Sequence, residues 1–186
     1  MAAWIWVVIA VVVIGALAVA AWALWRERRT AGLRTRFGPE YERTVSGTQD
    51  RRKAEGELKA RQDRVQGLDI HPVSPSEQAR YLDAWRQVQG GFVDQPAGAL
   101  RDADLLVHDL MHDCGYPMDT FEQRAADVSV DHPVVVQRYR AAHDISTRTQ
   151  SGEVSIEEMR QGLVHYRALF EELLGEERSD ERREVR

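Results

Sequence analysis

The feature that most constrains this chain is an uncharged apolar stretch near its start. Residues 4–25 contain no Asp, Glu, Lys, Arg or His, and Arg26-Glu27-Arg28-Arg29 follows at once. At about 1.5 Å rise per residue, a helix over this stretch measures about 33 Å, enough to cross a hydrocarbon core of about 30 Å. The sequence therefore predicts a single transmembrane helix over residues 4–25.

Tryptophans mark both ends of this stretch. Two lie near each end, and together they are four of the five tryptophans in the chain. Indole side chains prefer the headgroup level of a bilayer, so such pairs are typical of membrane interfaces. The predicted interface residues are these tryptophans and the arginines that follow them: Trp4, Trp6, Trp22, Trp25, Arg26, Arg28 and Arg29.

The charges that flank the stretch predict its orientation. Only the α-amino group precedes it, whereas five arginines and a single glutamate lie between residues 26 and 36. Arginine favours the cytoplasmic side, so we expect residues 1–3 outside the plasma membrane and residues 26–186 in the cytoplasm. The alternative is a secreted helical protein whose signal peptide is cleaved near Ala18-Val19-Ala20. It fits less well, because the basic cluster follows the apolar core instead of preceding it.

Composition narrows the class of partner. The part after residue 25 has the length of one ordinary domain, and the chain carries 25 basic against 30 acidic residues. This acidic balance disfavours nucleic-acid binding. The single Cys114 permits no intrachain disulfide. The predicted partners are the lipid bilayer and an unidentified protein, and no cofactor is predicted. Gly15 and the Ala16/Ala20 pair are small enough for two such helices to pack closely, so a homo-oligomer is possible.

The segment between the stretch and the main domain is strongly charged. Residues 26–66 are predicted to form a basic collar and then a charged stalk helix, with a break at Phe37-Gly38-Pro39. Apolar residues are sparse from 40 to 66, so we expect one narrow packed face and the greatest flexibility between Ser46 and Glu57.

Capping signals and helical periodicity dominate residues 67–174. Ser74-Pro75-Ser76-Glu77, Asp119-Thr120-Phe121-Glu122 and Ser155-Ile156-Glu157-Glu158 match capping boxes, and apolar residues follow at spacings of three and four. Residues 175–186 are predicted to be a charged flexible tail. The expected fold class is all-α: an N-terminal single transmembrane helix followed by a bundle of about five or six helices.

Three sequence blocks carry a resemblance to a known family. Arg36–Tyr41 (RFGPEY), Phe121–Pro133 (FEQRAADVSVDHP) and His165–Phe170 (HYRALF) resemble blocks of a bacterial family of small, uncharacterised membrane or secreted proteins. The resemblance covers nearly all of residues 34–174. It implies a shared helical domain and brings no activity, cofactor or catalytic residue with it.

Two histidines have the spacing of metal ligands. His108 and His112 are separated by one helical turn, and each is followed by an aspartate. His71, the His108-Asp109 pair and Asp144 resemble the H…HD…D pattern of metal-dependent HD phosphohydrolases. Such dipeptides arise easily by chance, and a pair lacks the remaining ligands that a metal site needs. No metal site is predicted, and a metal-dependent HD-like hydrolase is kept as the alternative function.

The densest polar cluster lies between residues 122 and 132. A functional interpretation is a buried acid–base site or a docking patch, whereas a structural one assigns these residues to helix caps and ion pairs. The residue types favour the structural interpretation, because capping alone explains most of them. The cluster consists of Glu122, Arg124, Asp127, Asp131 and His132.

No catalytic set converges in this sequence, and none is assigned. A membrane anchor followed by a well-capped bundle favours an interaction or scaffolding module at the cytoplasmic face of the membrane over an enzyme.

Overall fold

The computed structural model describes residues 3–48, 50–152 and 154–175; within the first helix, the side chains of residues 3, 5, 7–12, 18, 19, 22–27 and 29 lie outside this description. The described residues form eight α-helices and no strand, which confirms the all-α class and the helical bundle. The helices are α1 (Ala3–Phe37), α2 (Pro39–Thr48), α3 (Arg51–Gln66), α4 (Pro75–Gly91), α5 (Pro96–Asp113), α6 (Phe121–Asp131), α7 (Val135–Thr149) and α8 (Ile156–Leu174).

The prediction of a single-pass membrane protein is contradicted. In the part of the chain that the structure describes, no helix has both the length and the apolar character needed to cross a membrane. α1 does not end at residue 25 but continues to Phe37. The predicted plasma-membrane location with a cytoplasmic domain is therefore corrected.

Local signals set several helix ends where they were expected. Gly38 adopts φ +45° between α1 and α2, and Pro39 opens α2. The capping boxes of α4 and α8 are confirmed: Ser74 and Ser155 each accept a backbone N–H, and Glu77 and Glu158 each accept the N–H of the capping serine. These signals involve residues three positions apart, so they act independently of the tertiary fold.

The caps around α6 differ from the expectation. Thr120 alone caps α6, accepting the N–H of Gln123, and Glu122 does not complete a box. α7 begins at Val135 without a side-chain cap. Neither Asp131 nor His132 caps it, because Asp131 pairs with Arg36 and His132 pairs with Glu172. The two side chains that could have capped α7 are instead paired with residues from distant parts of the chain.

The charged segment interpreted as a stalk consists of two packed helices. Asp50 begins α3 by accepting the N–H groups of Arg52 and Lys53. The sparse apolar residues of α2 and α3 are buried and meet α1 and α6 in one small cluster. Its buried members are Leu33, Phe37, Tyr41, Leu58, Val65 and Val130. The segment from 46 to 57 contributes to this contact through buried Ala54 and through Glu55, which accepts hydrogen bonds from Thr30 and Tyr41.

The larger core lies among α4, α5, α7 and α8. Trp85 stacks on Phe170 with a distance of 4.8 Å between ring centroids. Gly162 allows α8 to approach two helices at once, because a Cβ at this position would lie 3.0 Å from Leu100 Cδ1 and 3.1 Å from Ile145 Cγ2. α6 borders both cores: Val128 faces the larger core and Val130 the smaller. The two clusters are therefore joined through one short helix.

Candidate functional site

The five residues of the predicted polar cluster do not converge on one point. Glu122 is exposed and accepts a hydrogen bond from Arg140 of α7 at 2.7 Å. Arg124 donates to the backbone carbonyl of Asp119 at 2.7 Å instead of a carboxylate. Asp131 pairs with Arg36 of α1 at 3.3 Å, and His132 Nδ1 lies 2.7 Å from Glu172 of α8. The cluster ties α6 to several neighbouring helices.

Asp127 is the most deeply buried of the five. Its side chain is fully enclosed, accepts a hydrogen bond from Gln123 at 2.8 Å and lies 3.3 Å from Arg64 Nε. Its second oxygen, Oδ2, has no hydrogen-bond partner among the described residues. Desolvation by burial raises the pKa of Asp127, and the bond from Gln123 and the charge of Arg64 offset only part of this effect.

A second buried carboxylate was not predicted from the sequence. Glu40, at the start of α2, is fully enclosed. Its oxygens meet donors from three helices, and we call these residues the Glu40 cluster: Arg43 at 3.4 Å, Arg61 at 3.2 Å, Arg140 at 3.1 Å and Gln137 at 2.7 Å.

The Glu40 cluster joins α2, α3 and α7 by charge. Arg61 and Arg140 are themselves largely enclosed, with side chains only 14% and 11% exposed. The only local signal for this site is a charged residue next to the apolar Phe37 and Tyr41. Its main partners lie 21 and 100 residues further along the chain. Spacing within the sequence could not have brought them together.

The two candidate metal ligands are on the surface. The His112 side chain is 70% exposed, and His108 is 41% exposed. Each ring lies near its neighbouring aspartate, at 3.3 Å for His112–Asp113 and 3.7 Å for His108–Asp109. Among the described residues, which include His71 and Asp144, no group of three or more His, Cys, Asp or Glu side chains could hold a metal ion. The geometry does not favour the HD-like hydrolase.

The predicted membrane-interface residues are described only in part. Trp4 and Trp6 are exposed, and so is Arg28. The side chains of Trp22, Trp25, Arg26 and Arg29 lie outside the described residues. The interface role of these residues stays a prediction.

An open concavity follows the seam between α4 and α5. Two cavities of about 500 Å³ and about 390 Å³ share Ala84, Leu106 and Asp109, so they form one continuous groove. Its apolar surface comes from Ala84, Val88, Ala99, Leu105 and Leu106. We call this the α4–α5 groove.

Carboxylates line this groove along its length. Asp94, Asp102 and Asp109 contribute to the first cavity, and Asp109 and Asp113 to the second. Among the described lining side chains, Arg80 is the single Arg or Lys, and it lies 3.2 Å from Asp113.

One carboxylate of the groove, Asp113, is stabilised in its charged form. The Tyr81 hydroxyl donates to Asp113 at 2.6 Å, and this hydrogen bond lowers the pKa of the carboxyl group. Asp102 and Asp109 are seven residues apart on α5, about two helical turns, so they lie on the same side of that helix. Leu105 lies between them and is 60% exposed. The groove therefore combines a stripe of accessible apolar surface with a row of carboxylates.

Comparisons with known proteins found no match for this chain. No protein-family model, no curated protein and no solved structure matches the chain. The resemblance based on the RFGPEY, FEQRAADVSVDHP and HYRALF blocks stays a prediction.

Proposed function

We propose that this protein is an interaction module whose α4–α5 groove binds a basic amphipathic helix of a partner protein. The observation that carries this proposal is the pairing of exposed Leu105 with Asp102 and Asp109 on one side of α5. A helix with a leucine stripe and flanking lysines or arginines complements such a surface in both shape and charge.

The dimensions of the groove support a helical partner. α5 has 18 residues, so the seam is about 27 Å long at about 1.5 Å rise per residue. A partner helix of about 18 residues would match this length and present apolar side chains at i, i+3, i+4 and i+7. These side chains would contact Val88, Leu105 and Leu106, and its basic side chains would face the carboxylates.

Electrostatics would contribute mainly to the choice of partner. The carboxylates of the groove are at least partly hydrated, so each ion pair adds little affinity by itself. Their row of like charge attracts basic helices over long distances and repels acidic ones. Apolar contact with Leu105 and its neighbours would then hold the bound helix.

Binding of a designed peptide to the full chain tests this proposal. The probe is a fluorescein-labelled helix of 18 residues with leucines at i, i+3, i+4 and i+7 and lysines elsewhere. Its control has the same leucines with glutamates in place of the lysines. Fluorescence anisotropy should show saturable binding of the lysine peptide that weakens with salt. Equal binding of both peptides, or of neither, would contradict the proposal.

A matched pair of serine variants locates the binding surface. Leu105→Ser removes exposed apolar surface from the groove, and we expect it to raise the Kd of the lysine peptide at least about tenfold. Val164→Ser makes a similar change at an exposed position of α8 outside the groove. It should leave the Kd unchanged. Equal weakening by both variants would place binding elsewhere.

A further inference from the structure

A separate cavity lies where three helices end. It has a volume of about 270 Å³, and its walls come from residues just after α5, from the ends of α6 and α8 and from the connector that precedes α4. Its lining includes Cys114, Asp131, His132 and Gly175, which stand at or next to the C-terminal ends of these helices. The C-terminus of a helix carries partial negative charge, so the convergence of three favours a cation.

The side chains of this cavity add to the same preference. Asp131 and Glu172 contribute carboxylates, and no Lys or Arg is found among its described lining residues. Arg36, outside the lining, pairs with Asp131 at 3.3 Å and balances part of that charge. Glu172 lies 2.7 Å from His132 Nδ1. In the tautomer whose Nδ1–H donates to this carboxylate, Nε2 is the ring nitrogen that can accept a hydrogen bond from a ligand.

Tyr116 is a polar group in this cavity without a polar contact. Its side chain is only 3% exposed and lines the cavity. Its hydroxyl makes no hydrogen bond to any described residue, and it is not among the fully enclosed polar atoms that lack a partner. We infer that the hydroxyl faces the cavity. A buried hydroxyl that is not satisfied by the fold is an acceptor available to a ligand.

We propose that this cavity binds a small organic cation, a primary amine on a short aliphatic chain. The ammonium group donates to His132 Nε2 and to the Tyr116 hydroxyl oxygen, beside the negative charge of Glu172. The aliphatic chain contacts Ile70, Leu173 and Leu174, which line the same cavity. At about 30 Å³ per water-sized group, the cavity has room for about nine such groups, enough for every non-hydrogen atom of a pentylamine molecule.

A metal ion is a poorer candidate than an organic cation. The cavity contains Cys114, His71 and His132, which are residue types that bind transition metals. These side chains do not form a group of three metal ligands anywhere in the described part of the chain. Burial also raises the pKa of the Cys114 thiol to about 11, so the thiolate that a metal requires is disfavoured.

NMR titration of the full chain with three isosteric probes tests this assignment. The probes are 1-pentylamine, 1-pentanol and pentanoate, and the readout is the imidazole Hε1 signal of His132. Pentylamine should shift this signal in a saturable manner at concentrations where pentanol and pentanoate do not. Equal shifts with pentanol would mean a merely apolar cavity, and no shift with pentylamine up to its solubility limit would also overturn the proposal.

A matched pair of tyrosine variants assigns the contact. Tyr116→Phe keeps the ring and removes the hydroxyl, so we expect it to fold and to weaken pentylamine binding about tenfold. Tyr81→Phe removes a hydroxyl at the separate α4–α5 groove and should leave pentylamine binding unchanged. If Tyr116→Phe binds as tightly as the unchanged chain, the hydroxyl does not face the ligand and the proposal fails. Because the groove and this cavity use different residues, failure here leaves the proposed function standing.

Discussion

At the scale of single residues, the fold depends on buried charges that are satisfied from distant parts of the chain. Glu40 is fully enclosed and receives hydrogen bonds from Arg61 and Arg140, both of them largely buried. The free energy that such a cluster contributes is small when it is complete, because desolvation opposes the attraction. Removing one member is costly, because the remaining charges lose the buried partner that they share.

Substitution of Glu40 tests this dependence. We expect Glu40→Ala to lower the free energy of unfolding by about 3–5 kcal/mol, because Arg61 and Arg140 would then be buried without their shared carboxylate. The matched control is Glu42→Ala, which removes an exposed partner of Arg34 from the same helix. It should leave the stability almost unchanged. Urea denaturation of both variants measures the free energy of unfolding. Similar losses of stability in the two variants would contradict the assigned role of Glu40.

Asp127 gives the fold a defined response to pH. Burial raises its pKa, so the folded state binds this proton more tightly than the unfolded chain does. The resulting stabilisation is fully present below the unfolded pKa and is lost as the pH rises through the folded pKa. Relative to Asp127→Asn, which cannot titrate, the unchanged chain should therefore gain stability as the pH falls from 7 towards 4.

The measurement is the difference in unfolding free energy between the two chains across this pH range. Other carboxyl groups titrate in both chains, so their contributions to the unfolding free energy cancel in the difference. A difference that stays constant, or one that grows in favour of Asp127→Asn on acidification, would show that the pKa of Asp127 is not raised.

At the scale of elements, close approach at helix ends fixes the arrangement around the small cavity. Gly115 follows α5 with φ +88°, and a Cβ there would lie 2.2 Å from the carbonyl oxygen of Asp69. The connector is also held by a hydrogen bond from the His71 N–H to the Cys114 carbonyl at 3.0 Å. Only glycine fits both the backbone conformation and the contact.

A pair of alanine variants separates these two requirements. Gly115→Ala should lower the unfolding free energy by about 1–3 kcal/mol or more, from backbone strain and from displacement of the connector. Gly152 has φ +77° with no atom within 4 Å of the added Cβ, so Gly152→Ala introduces the strain alone. Thermal unfolding should show the larger loss for Gly115→Ala. Equal losses would mean that the connector moves aside without cost.

The sequence predicted those elements that short-range chemistry controls. The capping boxes of Ser74 and Ser155 and the break at Gly38 were predictable because every atom involved lies within a few residues. The spacing of three and four that follows the Ser74 cap includes Trp85, which stacks on Phe170 in the core. The packing of α3 could not be predicted, because Leu58 and Val65 are buried in one cluster with Val130, a distant residue of α6.

At the scale of the whole molecule, two hydrophobic clusters share α6, and the two candidate sites lie on different sides of the fold's elements: one on α4 and α5, the other at the end of α6. The groove belongs to α4 and α5, and the small cavity lies at the ends of α5, α6 and α8. Neither site was predictable as a unit. Asp102, Leu105 and Asp109 have an ordinary helical spacing, and only the position of α4 turns them into one side of a groove.

The central proposal, that the α4–α5 groove selects a basic helix, is tested most directly by reversing its charge. Asp102→Lys combined with Asp109→Lys keeps the apolar stripe and replaces two carboxylates with ammonium groups. The control combines Asp144→Lys with Glu157→Lys, at exposed positions outside the groove. The Kd of the lysine peptide and of the glutamate peptide is measured for each chain by fluorescence anisotropy. We predict that the groove variant reverses its preference and binds the glutamate peptide more tightly, whereas the control keeps the original preference; an unchanged preference in the groove variant would contradict the proposed function.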